Sequence, residues 1–340
     1  MRITVILCAA AALAVSFPGR LPGGELLPAY VPRAVAPVAG AGYVRRDGAI
    51  RIAAGNRGMG VILGGFNALF SRTHPGFNFA LEFNRLGNAV NLPALTHGVT
   101  LVAPMGRELM PVELVPYQKI VGADPLVVRI AHGTIDSRDK AAALAIYVNR
   151  ANPLTRLTTA QAARIFTTGA PGGDLTTWGQ LGLEGEWARR PIHPCGTPEA
   201  SGFGSFMILR QMDGRPFAPN YESFPLAAQI MQRVGEDPGA IGFSPLGFLT
   251  PETKIISVAE RPDEPFLSGT AEEVASGGYP YDRFIYLYAR RAPDGSLDPL
   301  VKEYLRLVLS REGQQIIGAE PAGFIPLNAR EVAAELAKLD

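Results

Sequence analysis

A chain of 340 residues has room for one large or two ordinary domains. Apolar residues make up 47% and charged residues 19%, which excludes a disordered chain, and the 38 glycines and 29 prolines follow no collagen triplet. The 32 basic and 31 acidic side chains leave no strong field for nucleic acid, and two cysteines are too few for a disulfide scaffold or a zinc ribbon.

Met1-Arg2 is a short basic start, and residues 3–16 (ITVILCAAAALAVS) are apolar and small until Phe17-Pro18-Gly19 breaks the run. This is the pattern of a secretory signal peptide over 1–16, cleaved after Ala14 or Ser16. The run falls short of the roughly 20 apolar residues of a transmembrane span, and Cys8 comes too early for a lipobox. An uncleaved anchor is the competing reading. Cleavage removes Arg2 and Cys8 and leaves a soluble, non-membrane-spanning chain outside the cytoplasm. Its single thiol, Cys195, cannot form an internal disulfide, so stability rests on the core. Residues 17–48 are rich in Pro, Gly and Ala and read as a linker or surface strap.

The fold proper is expected from Ala49. Ile50–Ala54 reads as a strand, Gly55–Gly60 as a glycine-rich turn, and Val61, Ile62, Phe66, Leu69 and Phe70 as a helix ended by Pro75-Gly76. Phe77–Phe83 alternates as a strand, 84–88 is a loop, a helix runs to Leu95, and Val99–Ala103 is the next strand. This β-loop-α repetition predicts an α/β protein with a mostly parallel sheet. Further strands are expected at 141–149, 191–194, 240–243 and 283–290. Helices are expected from a Thr cap within Leu157–Gln161 through Phe166, over 204–212, over about Asp298–Ser310, and from Asn328 to Lys338.

Three glycine-rich turns, 55–60, 84–88 and 196–204, end strands and open helices. Helix N-termini present free N–H groups, and glycine allows close approach, so such turns can form an anion site. They can equally be ordinary βα loops. The first turn reads G-x-x-G-x-G, neither a dinucleotide fingerprint nor a P-loop. The four histidines lack zinc-site spacing. His193 and Cys195 share a strand face, a conceivable metal pair whose plainer reading is a strand histidine and a buried small thiol. Ala200-Ser201-Gly202-Phe203-Gly204 is not a nucleophile elbow. Trp178 and Trp187 read as packing residues, and Phe284–Tyr288 as core strand.

Several stretches in order resemble the phosphate-binding protein family of high-affinity phosphate ABC transporters. They are Ala145–Leu154 with its Asn152-Pro153, Leu157-Thr158, Ile165–Gly169, Thr177–Gly182, Arg190-Pro191-Ile192, Ser201-Gly202, Pro238–Phe243, Leu309–Gln314 and Gly323–Leu327. The resemblance covers roughly residues 49–330. It implies a two-lobed type II periplasmic-binding-protein fold with two crossover strands and a central cleft. Lobe one is then 49–148 plus 285–340 and lobe two 149–255, with the first crossover after about Val148 and a return connection over 256–284.

The resemblance places the ligand at four loops. In this sequence they offer Asn56, Arg57 and Gly58, then Arg85, Gly87 and Asn88, and at the fourth loop Ser201 and Gly202. The third loop carries an Asp in the family but reads Ala103-Pro104-Met105-Gly106 here. The fourth loop's Arg position falls at Gly196-Thr197, and its Thr is Phe203. A rebuilt site is therefore expected, with Arg57 and Arg85 as replacement charged donors, since guanidinium suits tetrahedral oxyanions; surface loop arginines are the plainer alternative. The implied function is capture of phosphate or a related small oxyanion for an ABC permease, by a monomer without cofactor or metal. The alternatives are an exported adhesion, matrix or sensing protein on the same fold and, further off, a phosphatase.

Overall fold

A computed structural model describes residues 26–340 apart from 56, 84–86, 137–140 and 322, without the side chains of 55, 57, 58, 87 and 88. The expected signal peptide lies outside the described residues. The elements of the first lobe are β1 (Ile50–Gly55), α1 (Arg57–Thr73), β2 (Phe79–Phe83), α2 (Asn91–Thr96), β3 (Ala103–Met105), α3 (Pro111–Val121) and β4 (Leu126–His132). The second lobe follows with β5 (Leu144–Asn149), β6 (Arg156–Thr158), α4 (Thr159–Phe166), β7 (His193–Gly196), α5 (Gly202–Phe206), β8 (Glu222–Ser223), α6 (Ala227–Glu236), β9 (Ala240–Pro245) and β10 (Thr253–Ala259). After α7 (Ala271–Ala275) the chain returns through β11 (Phe284–Ala289), α8 (Pro299–Val308), α9 (Arg311–Gly318), β12 (Ile325–Pro326) and α10 (Ala329–Leu336).

The strands form a mixed six-stranded sheet, β6-β10-β5-β9-β7-β8, a four-stranded sheet, β12-β4-β11-β3, antiparallel throughout, and a parallel β1-β2 pair, so the mostly parallel sheet expected from the β-loop-α pattern is replaced by mixed pairing, because the crossing strands enter antiparallel to their neighbours. Leu101 N–H donates to the Arg51 carbonyl (2.9 Å), tying β1 to the approach to β3. Each lobe has its own core. In one, Phe66, Phe70, Leu126, Val128, Ile130, Ile285 and Leu287 pack with α8. In the other, β5 and β9 pack with Phe166, Trp178 and Trp187. The two tryptophans meet edge to face at 6.3 Å, as packing residues do.

Local chemistry explains several boundaries. Thr158 Oγ1 accepts the Gln161 N–H (3.2 Å) while Gln161 Oε1 accepts the Thr158 N–H (2.9 Å), a reciprocal cap that starts α4 as expected. Gly122 at φ +78° closes α3 in a conformation that costs glycine little. The helix expected over about 298–310 is shorter, because Ser310 Oγ accepts the Gly313 N–H (3.1 Å) and starts α9. The strand expected at 99–103 pairs instead at Ala103–Met105. Thr100 Oγ1 takes the Ala53 N–H of β1 (2.9 Å) and donates to the Val102 carbonyl (2.8 Å), so a side-chain hydroxyl stands where a backbone carbonyl would have continued the ladder.

The chain leaves the first sheet at His132 and joins the second at Leu144, ahead of the expected crossover after about Val148. The whole of β5 is buried between β9 and β10. A continuous apolar run reads the same in either sheet, so its pattern did not locate the crossing. The return runs between Ala259 and Phe284. The two crossings bond each other: Gly133 N–H to the Arg283 carbonyl (2.6 Å) and Leu144 N–H to the Tyr281 carbonyl (3.0 Å).

The described part of the strap lies on the first lobe. Tyr30 OH (2.7 Å) and Arg33 N–H (3.1 Å) donate to Oε1 of the buried Glu303. The Tyr30 N–H reaches Glu312 (2.7 Å), and the Arg311 N–H reaches the Pro28 carbonyl (2.8 Å).

Candidate functional site

The loop after β3 and the loop after β7 meet at one place between the lobes. Ser201 caps α5, its Oγ accepting the Gly204 N–H (2.9 Å). Gly202 faces the first lobe: a Cβ added there would stand 3.4 Å from Arg107 Cδ and 3.8 Å from Arg283 Nη2. Gly204 packs so closely that an added Cβ would lie 2.1 Å from the Pro198 carbonyl oxygen.

Arg283, just before β11, occupies the junction. Its Nη2 donates to the Gly106 carbonyl (3.1 Å) from the β3 loop and to the Gly202 carbonyl (3.1 Å) from the β7 loop. The guanidinium carbon lies 4.6 Å from the Phe203 ring centre and 5.5 Å from that of Phe206, within cation–π range. The residue is 3% exposed, and its Nε has no hydrogen-bond partner. Burial pushes the guanidinium down to about 10, with the nearby Glu108 pulling the other way. In the β7 loop, the buried Thr197 Oγ1 also lacks a partner.

The neighbouring charges are committed. Arg107 grips Glu113 with both terminal nitrogens (2.6 and 2.7 Å). Glu108 accepts the Tyr286 hydroxyl (2.8 Å). Behind the junction, His132 Nδ1 lies 2.6 Å from Asp282 Oδ2 and its Nε2 lies 3.0 Å from Glu331 Oε2. A neutral imidazole has one N–H to donate, so two carboxylates call for the imidazolium. Burial lowers the His132 pKa, but the two carboxylates outweigh it and raise the value to about 9. Burial lifts the Asp282 carboxyl, with the imidazole pulling against it. A cavity of about 630 Å³ opens beside this junction, lined in part by Glu108, Arg210, Asp282, Tyr286 and Glu331; neither Arg283 nor Gly202 lines it.

Of the residues expected from sequence, Ser201 and Gly202 sit at the junction. Arg57 and Gly58 open α1, and Gly87 and Asn88 open a short 3-10 turn (Gly87–Val90), which places their backbones at loop ends. Asn56 and Arg85 lie outside the described residues. Sequence reasoning missed Arg107 and Arg283. Arg283 stood at the head of an apolar strand, RFIYLYAR, and a charge there gives no sign of which loops it will meet.

Among the described residues no group of three or more His, Cys, Asp and Glu could hold a metal ion. His193 Nδ1 pairs with Asp237 (2.6 Å), and burial pushes the Cys195 thiol up to about 12, away from the thiolate that a ligand or nucleophile requires.

Two α/β lobes joined by paired crossings, with loops from both closing on a buried arginine, define a two-lobed binding protein. A profile of the PBP superfamily domain matches residues 141–312. The phosphate-binding protein PstS of Pseudomonas aeruginosa is 33% identical over 264 residues, 77% of this chain and 78% of that protein. The chain belongs to the PstS-like phosphate-binding proteins of the PBP superfamily. Solved structures share the fold. An ABC-type phosphate transport receptor from Vibrio cholerae aligns at TM-score 0.52 with 22% identity over 82% of this chain and 99% of that one. PstS from Borrelia burgdorferi aligns at TM-score 0.53 with 17% identity over 82% and 98%.

Proposed function

We propose that the chain captures phosphate or a related small oxyanion between its lobes and hands it to an ABC-type permease. It does so as an exported monomer, after loss of residues 1–16. It is a binding protein and not an enzyme. The observation that carries the reading is the meeting of Gly106-Arg107 from one lobe with Ser201-Gly202 from the other around Arg283. Asn56, Arg57, Gly58, Arg85, Gly87 and Asn88 complete the site from the first two loops of lobe one, and Ser201 and Gly202 supply its far wall.

The mechanism follows from the crossings. They hydrogen-bond to each other, so they flex together as a hinge. An anion that bonds donors on both lobes binds the closed form more tightly, and that difference in affinity drives closure. Release on the permease then requires only that the lobes part.

Titration calorimetry of the purified mature protein with phosphate, sulfate and a phosphonate tests this. One of them should bind and raise the melting temperature, because a ligand held only by the native state stabilises it by about 2.7 kcal/mol at a hundredfold excess over Kd. No heat and no thermal shift with all three would refute the reading.

A further inference from the structure

Resting on the receptor reading, we infer that Arg283, brought in by the return crossing, is the charged donor of the anion site, that Thr197 of the fourth loop is a hydroxyl donor to the same ligand, and that this ligand is a tetrahedral dianion. The argument is one of missing compensation. A buried cation is costly unless a counter-charge pairs with it. Arg283 is 3% exposed, yet among the described residues no carboxylate hydrogen-bonds its guanidinium. The carboxylates close by are engaged elsewhere: Glu113 with Arg107, Glu108 with Tyr286, Asp282 with His132 and with the Arg283 backbone N–H (2.7 Å). Two neutral carbonyls share Nη2, while Nε is buried and unbonded.

The surroundings suit an anion. Phe203 and Phe206 stack on the guanidinium, hold its plane and keep out water, which strengthens any charge interaction there. Thr197 Oγ1 is a second buried group left unbonded, on the same loop as Ser201. A planar cation with a free Nε–H, together with an unbonded hydroxyl on the loop that carries Ser201, matches an oxyanion with several acceptor oxygens. Because the two carbonyls on Nη2 belong to different lobes, the charge is held in place by closure itself. Phe203 then has a defined role: it supports the arginine where a hydroxyl side chain would have touched the ligand directly.

The test is titration of the mature protein with inorganic phosphate and with sulfate, on the wild type, Arg283→Gln, Arg283→Lys and Thr197→Val. Arg283→Gln should weaken binding roughly 100-fold and Thr197→Val about tenfold, while Arg283→Lys falls between the wild type and the glutamine variant. Arg283→Gln binding within threefold of the wild type would overturn the assignment and leave the receptor reading intact. A wild type that binds neither anion would overturn both. Should the glutamine variant misfold, the wild type still decides. Its Arg283 Nε–H resonance, assigned by its loss in Arg283→Lys, should move on saturation with phosphate; a resonance that stays in place refutes the contact.

Discussion

His132, the last residue of β4, and Arg283, just before β11, are buried cations at the same hinge, and they are treated in opposite ways. His132 has a carboxylate on each ring nitrogen, Asp282 from the return crossing and Glu331 from α10. Arg283, one residue beyond Asp282, has two backbone carbonyls and a bare Nε. A fully paired buried charge serves the fold, since removing one partner strands the other. An unpaired one weakens the fold, and the role proposed for Arg283 is to meet an anion that supplies the missing counter-charge. The difference separates the bolt of the hinge from the floor of the site.

The largest effect should come from the bolt. His132→Leu strands the buried Asp282 carboxylate and the half-buried Glu331 without their shared counter-charge and should cost about 3–5 kcal/mol in urea unfolding at neutral pH. The matching change in the floor, Arg283→Met, should cost less than about 1 kcal/mol without anion, or stabilise the protein, because it removes an uncompensated buried charge. Equal losses in the two variants would break the comparison.

The pH dependence sharpens it. His132 is raised from 6.5 to about 9, so its contribution is complete below 6.5 and lost as pH rises through 9. The stability advantage of the wild type over His132→Gln should therefore shrink by about 3 kcal/mol between pH 6 and 10. A difference that stays flat over that range would mean that the ring is neutral throughout. The smallest effect is at Thr197. Replacing its unbonded hydroxyl with a methyl in Thr197→Val should raise the stability of the empty protein by less than about 1 kcal/mol, measured by thermal unfolding without anion. A loss instead would show that the hydroxyl already has a structural partner.

Much of the fold was legible because its signals are local. The helical spacing of Ile62, Phe66 and Phe70, the Thr158–Gln161 cap and the turn after Asn149 each depend on neighbours in the chain. The strap was legible from its prolines and glycines, though not its anchor on Glu303. β4, α3 and α6 have no counterpart among the elements expected from the sequence. In α3, Val112, Val115 and Ile120 are exposed while Tyr117 and Val121 are buried, so no single apolar face marks the helix. The sheet joined by β5 was not legible either, since a strand buried on both faces shows no alternation.

At the site the division is sharper. Ser201-Gly202 could be read from the chain because the glycine-rich turn at 196–204 and the resemblance that singles out the pair are both properties of consecutive residues. Arg283 could not. It lies 81 residues from Gly202 and 177 from Gly106, and only the pairing of the two crossings brings the three together. A sequence thus specifies its turns, caps and apolar faces through interactions between near neighbours. Whether a buried charge finds a counter-charge depends on which distant segments pack around it, and here the folded chain gave His132 two carboxylates and Arg283 none.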